Sequence, residues 1–472
     1  MRRGSMGDRM HRTRCRAVRD DGDCDATRRM RGCWWSWISF QFGWPLMHGC
    51  PLNGTKSCAG GRCTRPQAAG IGNEALSMLA EKRREWAVAR LGPSLQRMRW
   101  DRLTLGIGLG YTLLAWSLSY GTVLPQLRDD LHLSASLASL HGSMFGFCLL
   151  IMALFGSRIL ARMPNRLSLG CSVTGMVSGG VLFGFGHSPV LTLTGAGIAG
   201  AGAALMVIVV PAVVFAHQPQ APTHAMSTLN AFPMISSTLL PLAVSAAAAA
   251  TISWRVAYVA PLLLIGTAIA VIAGRSPVPG TAVPEPARLR EVASVAHIRR
   301  RWLVLVFGVM VEIGTVTWAS SIMHDLGHAS KGSAASLTIG FFVGMFAGRL
   351  ALSRLLERID EQLLLILSFV GSLGFLAPFL IGPGLAVRII GLTGLGISLS
   401  PVYPLSVTRI FELHDDTNAL GRVAALASGA GVTFGPLLLG VLSDMAGLAW
   451  ATVVLPVFAI GGLITLGRPQ SA

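Results

Sequence analysis

One acid stands at the centre of an almost wholly apolar run: Glu312 in WLVLVFGVMVEIGTVTWASSIM, the 22 residues from Trp302 to Met323. A helix of about 20 apolar residues crosses a hydrocarbon core of ~30 Å. A carboxylate at mid-depth costs roughly 2.5–3.5 kcal/mol on insertion scales, so such a group faces a bundle interior or a wet cavity, where it pairs, binds a ligand or carries a proton. Thr315, Val316 and Ala319 follow Glu312 at helical spacing and Gly308 precedes it by a turn, which gives a small, partly polar face suited to a cavity wall. The alternative is a Glu that hydrogen-bonds a neighbouring helix and does nothing more.

Arg349, directly after Gly348 in a later apolar run, either snorkels to the membrane surface or points inward as the partner of a carboxylate or an anionic ligand. His141 is either a hydrogen-bonded packing residue or a proton relay, because imidazole titrates near neutrality. Tyr111, Trp116, Asn230, Trp318 and Tyr403 are polar or aromatic groups at cavity depth, and each taken alone fits packing or interfacial anchoring as well. Arg162, Arg166, Arg354 and Arg358 lie in loops as orientation signals or as gate latches, with Glu357, Asp360 and Glu361 as candidate partners for Arg358.

Other chemistries find no support. There is no C-x-x-C pair, no metal-ligand spacing, no Ser/His/Asp set and no G-x-x-x-x-G-K loop, so neither an enzyme, a metal site, a cofactor nor ATP-driven pumping is expected. Gly195-x-Gly197-x-x-Gly200 matches the dinucleotide fingerprint in letters but lies inside an apolar run, with Gln218 and Gln220 where the fingerprint needs an acid. Small-residue helix packing is the better reading.

The elements that position these residues follow from composition. The chain has 472 residues, 52% hydrophobic and 13% charged, with mean hydropathy +0.58. Soluble domains run near 25% charged, so this is an all-α, polytopic membrane chain. Its charge of +17 is concentrated: residues 1–101 carry 19 of the 39 Lys and Arg, and most of the rest fall in short loops. That is a pattern of topology signals, not of a nucleic-acid-binding face.

Residues 1–100 show no helical or strand period and read as a disordered basic tail, or as sequence ahead of a true start at Met78 or Met98. Twelve apolar runs follow, at about 103–124, 135–158, 167–186, 190–215, 226–249, 253–273, 302–323, 334–355, 362–381, 385–408, 424–443 and 448–467. Arg158, Arg162 and Arg166, then Arg288 to Arg301, then Arg354 and Arg358, then Arg409 and Arg422 mark alternate loops as cytoplasmic, which puts both termini inside. A Pro-rich linker over 275–301 divides an amino half, 101–274, from a carboxyl half, 302–472. An internal repeat supports the division. Gly197, Gly200 and Gly202 recur as Gly391, Gly394 and Gly396, offset by 194; Thr238 and Pro241 recur as Thr433 and Pro436, offset by 195; Arg158 and Arg162 recur as Arg354 and Arg358, offset by 196.

The six-plus-six layout, the basic loop GSRILARMPNR and its echo GRLALSRLLER, WRVAYVAPLLL opening the sixth run and TFGPLLLGVLSD in the eleventh together resemble the major facilitator superfamily over about residues 100 to 470. The resemblance implies two pseudo-symmetric six-helix halves that move a small organic solute by alternating access, with proton coupling expected at Glu312. It implies a monomer in the plasma (inner) membrane that takes a small-molecule substrate and protons and has no nucleic-acid partner. Two departures bear on the subclass. Leu160 stands where the loop signature carries an acid, and the G-x-x-x-G-P motif of drug/proton antiporters is missing from the fifth run and present in the eleventh, as Gly431, Gly435 and Pro436. Both lower the weight of an antiporter. An efflux antiporter and a transport-inactive sensor on the same scaffold are the alternatives.

Overall fold

The chain is described here from a computed structural model, over residues 98–160, 162–280, 296–412 and 417–467. The expected tail, apart from residues 98–100, and much of the expected linker lie outside the described residues. Among the described residues every regular element is a helix: α1 Arg102–Leu118, α2 Tyr120–Leu131, α3 Ala135–Leu160, α4 Asn165–Phe185, α5 Pro189–His217, α6 Pro222–Leu229, α7 Pro233–Ala249, α8 Trp254–Ala273, α9 Ala296–Ser321, α10 Lys331–Leu337, α11 Ile339–Leu356, α12 Glu361–Ile381, α13 Gly384–Leu399, α14 Val402–Phe411, α15 Thr417–Ala446, α16 Leu448–Ala451 and α17 Val454–Leu466. They make twelve crossings at the expected places. Eleven are long and apolar enough to span a bilayer, and the fifth is a shorter apolar helix, α7, preceded by the separate short helix α6.

Several crossings are jointed. The first breaks at Ser119 between α1 and α2, the fifth at Asn230–Phe232 and the tenth at Ser400–Pro401. Proline explains two of the joints: Pro233 and Pro401 have no N–H to continue a preceding helix and clash with its last turn. The seventh crossing ends in a π-helical turn, Ile322–Leu326, and begins six residues earlier than the apolar run, so that Arg299, Arg300 and Arg301 extend its basic end.

Two kinds of crossing are distinguished by where their apolar surface goes. The central windows of the first and seventh are 72% buried, whereas those of the sixth and twelfth are 28% and 33% buried. The outer ones present Leu264, Val271 and Ile464 to the surroundings, as a lipid-facing belt requires. The first and seventh are therefore inner crossings of the bundle.

Glycines of α5 and α13 pack helices. Gly195 of α5 approaches α4 so closely that a Cβ there would lie 2.5 Å from the Phe183 amide nitrogen, and Gly202 approaches Ser172 in the same seam. The dinucleotide-like letters fall in the middle of α5 and not at a strand-to-helix turn. In the carboxyl half Gly391 and Gly396 bring α13 against α12 and α11. Backbone conformation carries the same symmetry. His132 and His328 end the first and seventh crossings in the left-handed region, at φ 50° and 56°, and stand 196 residues apart.

Candidate functional site

Glu312 lies in the middle of α9, on the inner seventh crossing, and retains accessible surface in its deep position. It interacts electrostatically with Arg349 of α11, and both interact with Tyr403 of α14. Glu312 and Arg349 form no direct ion pair, and Arg349 donates none of the hydrogen bonds among the described residues; its Nε is buried without a partner. Tyr403 is within hydrogen-bond reach of Ser428 on the eleventh crossing. Thr315, one turn on from Glu312, is fully buried with an unpartnered hydroxyl.

Small residues bring these groups together. Gly308, a turn before Glu312, lies against Val402, the neighbour of Tyr403. Gly348, next to Arg349, lies against α13: a Cβ there would stand 2.7 Å from the Ile397 carbonyl. Glycine at both places lets α9 and α11 close on the joint of the tenth crossing. The result is an acid, a guanidinium and a phenol in the carboxyl half that interact electrostatically, all three only partly buried. Of the two readings open for Arg349, the inward one matches this placement.

The other candidates are placed differently. His141 is fully buried, with Nδ1 2.9 Å from the Leu137 carbonyl of its own helix and Nε2 2.9 Å from the Thr192 hydroxyl, so both ring nitrogens are engaged and Nε2 ties the second crossing to the fourth. Trp116 donates its indole N–H to the Tyr258 carbonyl at 2.9 Å and ties the first crossing to the sixth. Tyr111 is buried in α1. Asn230 sits at the joint between α6 and α7, partly exposed, where Thr112 and Ser236 link the first and fifth crossings. Trp318 is fully buried and donates to the Pro436 carbonyl at 3.3 Å.

Among the loop arginines, Arg166 donates to the Gly274 carbonyl within its own half, at 3.0 Å, and Arg162, Arg354 and Arg358 are exposed. Asp360 accepts from the Gln362 and Leu363 amides as the N-cap of α12. At this end, where both halves' outermost helices terminate, Arg422 of α15 reaches the Ala153 and Leu154 carbonyls of α3 at 3.0 and 2.9 Å.

Sequence reasoning missed the far end of the bundle, where the halves are tied most heavily. Arg128 at the end of α2 pairs with Asp325 at 3.5 Å, and Lys331 pairs with Asp129. Gln126 donates to the Lys331 carbonyl at 3.4 Å, and the Arg128 guanidinium sits 5.7 Å over the Trp318 ring. Asp444, at the end of α15, accepts from the Ala135 amide at 2.6 Å and the Ser136 amide at 2.8 Å, and so caps α3 from the opposite half. Gly121 and Thr317, 196 residues apart, touch through their backbones on the axis between the halves: a Cβ on Gly121 would lie 2.7 Å from Thr317 Cα. The signal in the sequence was the spacing of Asp129 and Asp325, which is also 196.

A cavity of about 270 Å³ lies away from Glu312, at the end that carries Arg166, between α1, α4 and α8. It is lined largely by apolar and small residues, among them Leu103, Gly106 and Ala273, with Arg166 the charged group at its edge. It contains none of the groups around Glu312, so it is no part of the candidate site.

A family model described as Major Facilitator Superfamily matches residues 105–419. No curated protein matches the chain by sequence. Among solved structures, the chain is similar to a bacterial homologue of the human lysosomal transporter Spinster in an inward-facing, unoccupied conformation, with TM-score 0.62, 15% identity, and 77% of this chain and 95% of that one covered. It is similar to a point mutant of the nucleoside transporter NupG, with TM-score 0.65, 12% identity and 77% and 98% covered. It is also similar to a point mutant of the E. coli fucose:proton symporter FucP, with TM-score 0.51, 17% identity and 78% and 98% covered.

Proposed function

The chain belongs to the major facilitator superfamily, and on that premise we propose that it is a secondary active transporter that carries a small organic solute by alternating access, coupled to protons through Glu312. The observation that carries the coupling is the placement of Glu312. It is an acid at mid-crossing, on an inner helix, beside Arg349 and Tyr403 and with accessible surface, in a chain whose outer helices are apolar. A charge in such a place is retained where it does work on a ligand or a proton. FucP, which shares the fold, is a fucose:proton symporter, and that makes proton use a consistent reading here.

The far-end ties define the conformation we assign. Arg128, Asp129, Asp325, Lys331 and Asp444 join the halves at the end opposite the termini. With the basic loops cytoplasmic, this is a form closed to the outside. Alternating access then requires these contacts to part while the opposite end closes. Protonation of Glu312 changes the charge beside Arg349 and so changes which closed form is favoured. The protein acts as a monomer in the inner membrane with both termini in the cytoplasm, and needs neither cofactor nor nucleic acid.

Purified protein in liposomes containing a trapped pH dye tests the coupling. Addition of a transported solute should change lumen pH in the wild type and leave it unchanged in Glu312→Gln. A pH change of wild-type size in that variant assigns the proton to another group.

A further inference from the structure

Resting on the transporter reading above, we propose that the solute is a small organic monoanion of the carboxylate class, held by the Arg349 guanidinium and carried together with a proton on Glu312. Arg349 is placed for this. Gly348 beside it presses α11 onto α13, which fixes the guanidinium deep in the carboxyl half. Its donors are not committed: it makes no hydrogen bond among the described residues, Nε is buried without a partner, and no direct ion pair joins it to Glu312. A guanidinium offers a planar fork of N–H donors that matches a carboxylate with two parallel bonds. Thr315 adds a buried, unpartnered hydroxyl one turn from Glu312, and Tyr403 adds a phenol that interacts with both Glu312 and Arg349. These supply polar contacts beyond the charged end of the solute.

Charge balance selects the class. An occluded site inside a membrane protein tolerates a net charge poorly. With Glu312 ionised, the empty pair is neutral. A monoanion on Arg349 restores neutrality only when Glu312 has taken a proton, so anion and proton enter together. A dianion would leave a negative charge uncompensated, a cation would leave a positive one, and a neutral solute would leave the fork without its natural acceptor. One anion and one proton cross per cycle, and the cycle moves no net charge. A pH gradient drives it and a membrane potential does not.

The test uses lactate, pyruvate and benzoate, with lactamide and benzamide as neutral counterparts and benzylamine as the cation. The full chain is assayed by thermal shift in detergent and by uptake into liposomes. The expected result is that carboxylates alone stabilise the protein, more strongly at acidic pH, and accumulate under a pH gradient regardless of a potassium-diffusion potential. Arg349→Lys should weaken binding by about tenfold or more, because the fork is lost and the charge kept. The double variant Glu312→Gln/Arg349→Gln keeps the pair neutral, so it should fold and bind none of the panel. Preference for the amides or the amine overturns the inference, as does carboxylate binding indifferent to both variants, or no carboxylate binding at all. Arg349-dependent binding without gradient-driven uptake keeps the anion site and removes the transport reading. Gradient-driven uptake of neutral or cationic members does the reverse.

Discussion

Asp129 and Asp325 stand 196 residues apart, and each binds a cation from the opposite half: Asp129 holds Lys331 and Asp325 holds Arg128. The two acids of these ion pairs, though not their cations, are related by the same pseudo-symmetry as the left-handed His132 and His328 that follow the first and seventh crossings. They are partly exposed, and such pairs contribute only about 0.2–1 kcal/mol each. Asp129→Asn/Asp325→Asn should therefore shift the population toward forms parted at this end by a few-fold, not abolish closure. Distances between spin labels on the loops after the first and seventh crossings measure it. An unchanged distance distribution would show that the pairs are ornaments of the surface.

Asp444 should matter more. It accepts two backbone amides of the α3 N-terminus at 2.6 and 2.8 Å, across the divide between the halves. Losing a helix cap costs about 0.5–2 kcal/mol. Asp444→Ala should open this end to a greater extent than Asp129→Asn alone, and Asp444→Asn, which keeps one acceptor, should fall between. The same label distances rank the three variants.

Gly195 and Gly197 share one motif and should respond unequally to alanine. A Cβ at Gly195 would meet the Phe183 amide at 2.5 Å and the Gly179 carbonyl at 2.6 Å, whereas at Gly197 the nearest atom is Met144 Sδ at 3.8 Å. Gly195→Ala should cost about 1–3 kcal/mol through overpacking, and Gly197→Ala should be close to neutral. Thermal unfolding in detergent separates them; equal effects would mean the α4–α5 seam is not as tight as described.

That contrast shows how far the sequence could be read. Apolar run length and loop charge were enough for twelve crossings in two halves, because the bilayer imposes both. Glu312 was legible because an acid in hydrocarbon needs a reason. Its relation to Arg349 and Tyr403 was only half legible: side-chain direction depends on how Gly308 and Gly348 seat their helices, and that is a tertiary fact. His141 and Trp116 read as cavity candidates from depth alone, yet their hydrogen bonds run to Thr192 and Tyr258 on neighbouring helices. The far-end ties were hidden because Arg128 and Lys331 counted only as minor loop charges, and their partners lie far along the chain, at separations of 197 and 202.

Asp101 should make stability depend on acid. Burial raises its pKa, but hydrogen bonds from the Thr104 amide, His217 and the Thr104 hydroxyl outweigh it, so the carboxyl is held below its ordinary 3.8. A group with a depressed folded pKa stabilises fully above the unfolded value and loses that contribution as pH falls through the folded one. The melting temperature of the wild type should therefore drop relative to Asp101→Asn only as pH falls below roughly 4. Parallel curves down to about pH 3 would contradict the assignment.

The central claim is that Glu312 couples solute movement to the proton gradient, and one comparison tests it most directly. Wild-type and Glu312→Gln proteins in liposomes are assayed for accumulation under an imposed pH gradient and for counterflow exchange with no gradient. The account predicts that Glu312→Gln loses accumulation and keeps exchange, since the site still binds and the halves still rock. Gradient-driven accumulation of wild-type size in that variant would contradict it.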